Sequence, residues 1–371
     1  MMHAFLRHLT GSQPVPIRPE LPPVHVPNYY EVRKLVADIT VVGAANLDPN
    51  LVNARDIAFN PFGFVWVSDE GSGLSTLYDG AGHPQSLVVT IPPPAGSTGR
   101  GEPTGIVFYG GGGFVVSNGS SSGPSRFIFA GEDGVISGWA PNVDFTNAIR
   151  VIDNSPLRSV YKGLALSASG TGPLLYATDF HNARVDVFDA TFQPVVLPGR
   201  PFQDPHLPHG FAPFGIQAIG GDIYVTYAKQ DAHRRHEACG RGLGLVSVFS
   251  PTGEFVRRLV TRGALNAPWG LALAPASFGK FGNRLLVGNF GDGAINAYDI
   301  ANGRFAGRLR GTDREPLRID GLWGLAFGNG VNHQPLNTLF FTAGPGNEEH
   351  GLYGRIDVAR EDMQADVADS E

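Results

Sequence analysis

The sequence has a single cysteine, Cys239, among 371 residues. One thiol excludes an internal disulfide framework and any zinc site built on cysteines. Charged residues are scarce, at 17%, and the Ala/Glu/Lys/Leu patterns of long helices are missing. No apolar run approaches the ~20 residues of a membrane span, so no membrane partner is expected. The net charge of −6 leaves no broad basic footprint for nucleic acid. The chain has no Gly-x-Ser-x-Gly, no phosphate-cradling loop and no His-Glu-x-x-His. Gly110-Gly111-Gly112-Gly113 lacks the Lys-Ser/Thr and the helix of a nucleotide loop, so it reads as a turn. Neither nucleotide nor flavin is expected. Met1 to Thr10 lacks the apolar centre of a secretory signal. The expected location is the cytoplasm, with secretion the alternative for a chain whose signal has been removed.

Glycine and proline are abundant, at 50 and 29 residues. They fall between apolar runs, and 42% of the chain is hydrophobic. That combination predicts many short strands joined by tight turns around an ample core. Residues 1–29 stand apart, because Pro14, Pro16, Pro19, Pro22, Pro23 and Pro27 sit in polar surroundings. An extended arm that builds no core is expected there. Tyr30 to Asp38 alternates polar and apolar residues, as a half-buried strand does.

From residue 30 to 358 one phrase recurs, fullest at Asn266 to Leu273 and Leu285 to Asp299. Its equivalent points are Asp56, Gly105, Gly163, Gly215, Gly270 and Gly324, at steps of 49, 58, 52, 55 and 54 residues. Four-stranded propeller blades repeat at roughly 40–50 residues, so these are six slightly long blades. In the second repeat, Phe114 to Gly119 reads as the second strand, and Arg126 to Ala130 with Gly134 to Trp139 as an extra hairpin. The sixth repeat lacks a fourth strand, and Tyr30 to Asp38 is the spare one. The expected fold is an all-β, six-bladed β-propeller over residues 30–358, closed by the N-terminal strand in the last blade. Residues 359–371 read as an acidic, flexible tail.

The phrases Pro-x-Gly-Leu-Ala, then an apolar strand with Asp/Asn-Phe, then x-Ile-x-x-Tyr/Phe-Asp resemble NHL-repeat and gluconolactonase-like six-bladed propellers. Asp48-Pro49-Asn50-Leu51-Val52-Asn53, Tyr161-Lys162-Gly163-Leu164-Ala165, Tyr227-Ala228-Lys229-Gln230-Asp231 and Thr342-Ala343-Gly344-Pro345 resemble more closely an uncharacterised family of bacterial and fungal propellers. Arg126 to Ala130 with Glu132-Asp133-Gly134 carries the same resemblance. Blade one departs from the pattern, with Asn53-Ala54-Arg55-Asp56 where the repeat elsewhere suggests Asn-Pro-Trp-Gly.

Two rings of equivalent residues could carry chemistry. One lies at the ends of the second strands: Asp69, Asn118, Asp179, Lys229, Asn289 and Ala343, flanked by Glu70, Phe180, Gln230 and Phe290. The other precedes the repeat glycine: Arg55, Thr104, Lys162, Phe214, Trp269 and Trp323. Strand direction decides whether both face one mouth. Asp69, Asn118, Asp179 and Asn289 offer hard oxygens suited to Ca2+, the ion that the resemblance to propeller lactonases implies. Asp and Asn at strand ends equally cap turns. Arg55 and Lys162 read either as ion-pair partners of Asp69 and Asp179 or as a clamp for a carboxylate or phosphate. Glu70, Lys229, Trp269, Trp323 and Phe290 are the candidate ligand contacts, the aromatics otherwise packing between blades.

His181, His236 and His350 lie in turns and an insertion of three blades. They are the alternative metal set, a three-His zinc of the kind the amidating-lyase propellers carry; loop histidines are otherwise solvated. The expected activity is that of a hydrolase or lyase acting on a small anionic molecule at the channel mouth. The cation would polarise a carbonyl, Lys162 or Arg55 would hold the charge, and Asp179 or His181 would move the proton. With Asp179 committed to the metal, the proton role falls to His181. The rival reading is a non-catalytic binding propeller that uses the blade-two hairpin and the Ala232 to Gly240 insertion of blade four.

Overall fold

The computed structural model describes residues 28–169 and 172–359. The proline-rich arm and the acidic tail lie outside them, apart from residues 28, 29 and 359. The inner strands of the six sheets are Ala54–Phe59, Pro103–Phe108, Tyr161–Ser169, Phe211–Ile219, Pro268–Leu273 and Leu322–Phe327. Each pairs antiparallel with the second strand of its own sheet: Val65–Asp69, Phe127–Gly131, Gly172–Asp179, Asp222–Gln230, Arg284–Asn289 and Leu339–Ala343. The inner strands also pack on one another around the ring, each against the next and the sixth against the first. This is the all-β, six-bladed propeller that the repeat predicts.

Closure follows the sequence as well. Tyr30–Ala37 is the outer strand of blade six, running antiparallel to Leu352–Val358 from Tyr30 opposite Val358 to Ala37 opposite Leu352. Its first residue reaches blade five, where the Tyr30 hydroxyl donates to Phe278 O at 3.1 Å and the ring stacks on Phe281. The ring is thereby joined by backbone bonds from its two ends, leaving blade six without an unpaired third strand. The core is spread between blades. One cluster, for example, joins Tyr176 and Val187 of blade three to Phe202, Ile216, Val225 and Tyr227 of blade four.

Blade two corrects the sequence reading. Its second strand is Phe127–Gly131, which pairs with the inner strand through Ile128 opposite Val107. Val115–Ser117 pairs only with Ser122–Pro124, as a separate hairpin. The reason is burial on two faces. All residues of Phe127–Gly131 are buried, whereas Val115 and Ser117 are exposed on either side of Val116. A strand covered on both faces needs a continuous apolar run, and the alternating segment cannot supply one.

Every inner strand breaks register near its start, for instance between Ala54 and Asp56, Tyr161 and Leu164, and Pro268 and Leu271. Such a bulge re-aims side chains and leaves a backbone N–H without its ladder partner. Second-strand hydroxyls accept those bonds: Asp56 N donates to Ser68, Gly163 N to Thr178, Gly215 N to Thr226 and Gly324 N to Thr342, at 2.8–3.1 Å. Three of the hydroxyls then donate into the next blade: Ser68 to Thr104 O at 2.6 Å, Thr178 to Phe214 O at 2.7 Å and Thr342 to Arg55 O at 3.2 Å. The glycine of the repeat leaves room for this approach. A Cβ on Gly163 would stand 3.0 Å from Phe214 O, and one on Gly270 2.7 Å from Trp323 O. Gly270→Ala is therefore expected to cost about 1–3 kcal/mol, the usual range for overpacking. A urea melt reads it as a lower midpoint; an unchanged midpoint would mean that the neighbouring strand can yield.

Candidate functional site at the channel mouth

Strand pairing brings the two rings to one mouth. Ala54 lies opposite Asp69, Tyr161 opposite Asp179, and Pro268 opposite Asn289. The start of each inner strand is thus beside the end of the second strand. One side of the mouth is aromatic. Phe214 packs on Trp269 at 4.9 Å between ring centroids, Trp269 on Trp323 at 5.0 Å, and Phe290 stacks on Trp323 at 4.0 Å. Trp269 and Trp323 are 3% and 0% exposed, so their faces serve mainly as wall.

The other side is charged, and its centre is Glu132. Arg55 reaches Glu132 at 2.8 Å and Glu348 at 3.0 Å, and its guanidinium lies 4.1 Å over the Trp323 ring. Lys162 donates to the same Glu132 oxygen. Arg55, Lys162 and Glu132 are no more than 2% exposed. Burial pushes the Glu132 carboxyl up, but Lys162 and Arg55 outweigh it and hold the group at about 2. Asn53 links the acids of the rim, donating to Glu70 at 2.7 Å and Glu348 at 3.0 Å. From the blade-four insertion, Arg235 pairs with Glu102 and reaches Glu132 at 3.6 Å.

Two cavities flank Arg235. One, of about 460 Å³, is lined by Arg55, Glu70, Glu132, His236 and Glu348. The other, of about 310 Å³, is lined by Glu132, Arg158, His181 and His233. A third cavity, of about 500 Å³, is lined by the inner strands themselves, and Asp56 is its one charged lining residue. Asp56 stands where the other five blades have glycine. Burial pushes its carboxyl up to about 7, against bonds donated by the Ile57 and Ile106 backbone.

Glu237 completes the mouth. It lies on the two-residue strand Glu237–Ala238, paired with Lys229 and Gln230. Its Oε2 is shielded from solvent and has no hydrogen-bond partner. Burial pushes the carboxyl up to about 7, although Lys162 and Arg55 pull it down.

Of the expected site residues, Arg55, Lys162, Glu70, Trp269, Trp323 and Phe290 come together. Arg55 and Lys162 pair with Glu132, not with Asp69 and Asp179. Lys229 donates to His209 O at 3.1 Å and stands over Phe211, apart from the charged centre. Asn118 falls in the blade-two hairpin turn, accepting from Ser120 N and Ser121 N. Asp69 accepts from Thr76 at 2.8 Å. Asp179 accepts from Val160 N and Asn182 and pairs with Arg184 at 3.3 Å. Asn289 donates to Ala264 O and Asp292. These bonds join each residue to its own turn or a neighbouring loop, while Asp69 Oδ1 and Asn289 Oδ1 are buried without a partner. His181 and His236 line different cavities, and His350 bonds Asp38 at 3.0 Å. Among the described residues no three His, Cys, Asp or Glu are grouped to hold a metal ion. The three histidines named for zinc are thus not brought together, and of the oxygen donors named for calcium Asn118 lies apart, in the blade-two hairpin.

Glu132, Glu237 and Glu348 are the residues that sequence reasoning misses. Glu132 carries a signal: Phe127–Gly131 followed by Glu132 repeats Val65–Asp69 followed by Glu70. The structure makes the two glutamates equivalent, since Glu70 N donates to Asn53 O and Glu132 N to Glu102 O. Glu237 belongs to an insertion and has no counterpart to point to it.

No protein-family model matches the chain. Two uncharacterized proteins of Acanthamoeba polyphaga mimivirus align along most of it. One is 34% identical over 84% of this chain and 76% of its own length, the other 34% identical over 88% and 85%. These relatives are viral, where the sequence resemblance implied bacterial and fungal ones. Among solved structures, a streptogramin B lyase overlaps with a TM-score of 0.49 at 11% identity, covering 89% of this chain and 98% of that one. A virginiamycin B lyase from Staphylococcus aureus overlaps with a TM-score of 0.48 at 12% identity, covering 89% and 100%. Overlap of that extent says nothing of chemistry, and the architecture rests on the strand pairing. The chain is a six-bladed β-propeller that belongs to the family of these mimivirus proteins.

Proposed function

We propose that the mouth binds a small molecule bearing a carboxylate or similar anion, and that Glu237 moves a proton there, as in a hydrolase or lyase. The observation that carries this reading is Glu237 itself: a shielded carboxyl with one free oxygen, pushed up to about 7, beside two buried cations. A general base works best when its pKa lies near the working pH. Arg55 supplies the anion's partner. Its Nε and Nη1 are buried without acceptors, and a planar guanidinium matches a carboxylate in two bonds. Phe290, half-buried and backed by Trp323, gives the rest of the ligand an apolar wall. Lys162 is already neutralised by Glu132 and serves to set the field felt by Glu237. Arg235 stands between the two mouth cavities, so its withdrawal from Glu102 and Glu132 would join them.

The test uses the half-ester of succinate with 4-nitrophenol as probe. Wild-type protein is expected to cleave it at a rate that rises with pH through about 7, the value for Glu237. Glu237→Gln should lower the rate by roughly 10²–10⁴-fold, the span of general acid–base catalysis. Equal rates in the two proteins would remove Glu237 from the chemistry. A binding propeller without turnover is the second reading, favoured because Arg55, Lys162 and Arg235 each already have a carboxylate partner. It predicts saturable succinate binding with no cleavage.

A further inference from the structure

We infer that a groove at the outer side of blades four and five binds a small polyphosphorylated molecule. The groove, of about 960 Å³, runs beside the outer strand Phe255–Thr261 of blade four, the outer strands Ile295–Asp299 and Phe305–Arg308 of blade five, and the short turn Gly279–Phe281. Six cations line it: Arg241, Arg262, Lys280, Arg308, Arg310 and Arg318, against one acid, Asp292. On a chain of net charge −6 this is a local reversal of sign.

The pairing of these cations differs from that at the mouth. Arg55, Lys162 and Arg235 all have carboxylates. Among the described ion pairs, none involves the six cations of the groove. Their side-chain bonds go to neutral acceptors: Arg308 Nε to Asn296 Oδ1 at 3.0 Å, Arg310 to Arg314 O at 2.7 Å and Arg318 to Asp292 O at 3.0 Å. All but Arg308 are exposed, so their remaining donors face solvent. Tyr298 adds an independent feature. It lines the groove, is 2% exposed, and its hydroxyl has no partner. An unpartnered buried hydroxyl is a cost that a bound acceptor removes.

Guanidinium forks match phosphate oxygens in paired bonds, and several cations around one groove call for several phosphates. The volume exceeds what a single phosphate fills. The overall negative charge offers no continuing basic track for a nucleic-acid backbone, which favours a small ligand.

The test is titration calorimetry of the full chain with inorganic tripolyphosphate at ~50 and ~200 mM salt, since phosphate binding weakens as salt rises. Saturable binding is expected, weaker at the higher salt. The double variant Arg262→Ala/Arg310→Ala should weaken it at least tenfold, and Tyr298→Phe severalfold. Arg200→Ala, outside the groove, and Glu237→Gln, at the mouth, should leave it unchanged, so failure here and failure of the mouth reading are told apart. Absence of saturable heat would overturn the proposal, as would equal affinity in the double variant and wild type. Tighter binding of a DNA duplex than of tripolyphosphate would overturn the small-ligand assignment.

Discussion

Glu132→Gln is expected to lower the unfolding free energy by about 3–5 kcal/mol, the usual cost of breaking a buried ion pair from one side. The substitution keeps the shape and removes the charge. Lys162, at 0% exposure, then has no carboxylate bonded to it, and Arg55, at 2%, keeps only Glu348 at the rim. The double variant Glu132→Gln/Lys162→Met should recover much of the loss, because it removes one stranded charge together with its partner. Chemical denaturation of wild type, both single variants and the double variant closes the cycle. A single-variant loss below about 1 kcal/mol would mean that the pair is no better than a surface ion pair.

The acid limb of stability follows from the same group. The folded-state carboxyl is depressed from 4.5 to about 2. Its contribution is therefore present above the unfolded value and is lost as the pH falls through the folded one. At about 1.4 kcal/mol for each tenfold change in proton affinity, the loss is of the order of 3 kcal/mol, in line with the mutational cost.

Asp56→Asn is expected to act in the opposite sense. The Asp56 carboxyl is raised from 3.8 to about 7, so ionising it opposes folding. As far as Asp56 is concerned, stability is full at low pH and falls as the pH rises from the unfolded value through the folded one. Asparagine keeps the acceptor for the Ile57 N–H and removes the titration. The variant should be more stable than wild type by about 2–4 kcal/mol at pH ~8, the lower end applying where channel water reaches the carboxylate, and equal to it near pH ~4. Melting temperature against pH reads the difference. A gain of the same size at both ends, or a loss at the alkaline one, would contradict the assignment of Asp56 as a half-buried, reluctantly charged group.

The propeller is legible in the sequence because its constraints are local and repeated. The glycine of five of the six inner strands meets the next strand's backbone, so Gly105, Gly163, Gly215, Gly270 and Gly324 recur at matching points. The closing strand is legible because Tyr30 to Asp38 alternates while the sixth repeat is one strand short. The cationic and aromatic ring is legible too, since Arg55, Lys162, Trp269 and Trp323 occupy one position of the repeat. Their partners are not. Glu132 lies 77 residues from Arg55, and only the packing of blade two against blade one brings them together. Reading Phe114 to Gly119 as the second strand of blade two hides the equivalence of Glu132 and Glu70. Asn118 looks like a ring member for the same reason. Glu237 enters from an insertion that no repeat governs. The strand-end Asp and Asn residues are ambiguous in principle, because turn capping and cation binding ask for the same oxygens.

The most direct test of the account is the titration of the Glu237 carboxyl by 13C NMR, assigned with Glu237→Gln, in the absence and presence of succinate. The account predicts titration near 7 for the free protein, moving higher when succinate places further negative charge at the mouth. Titration near 4.5, the ordinary value for the side chain, with no response to succinate, would contradict it.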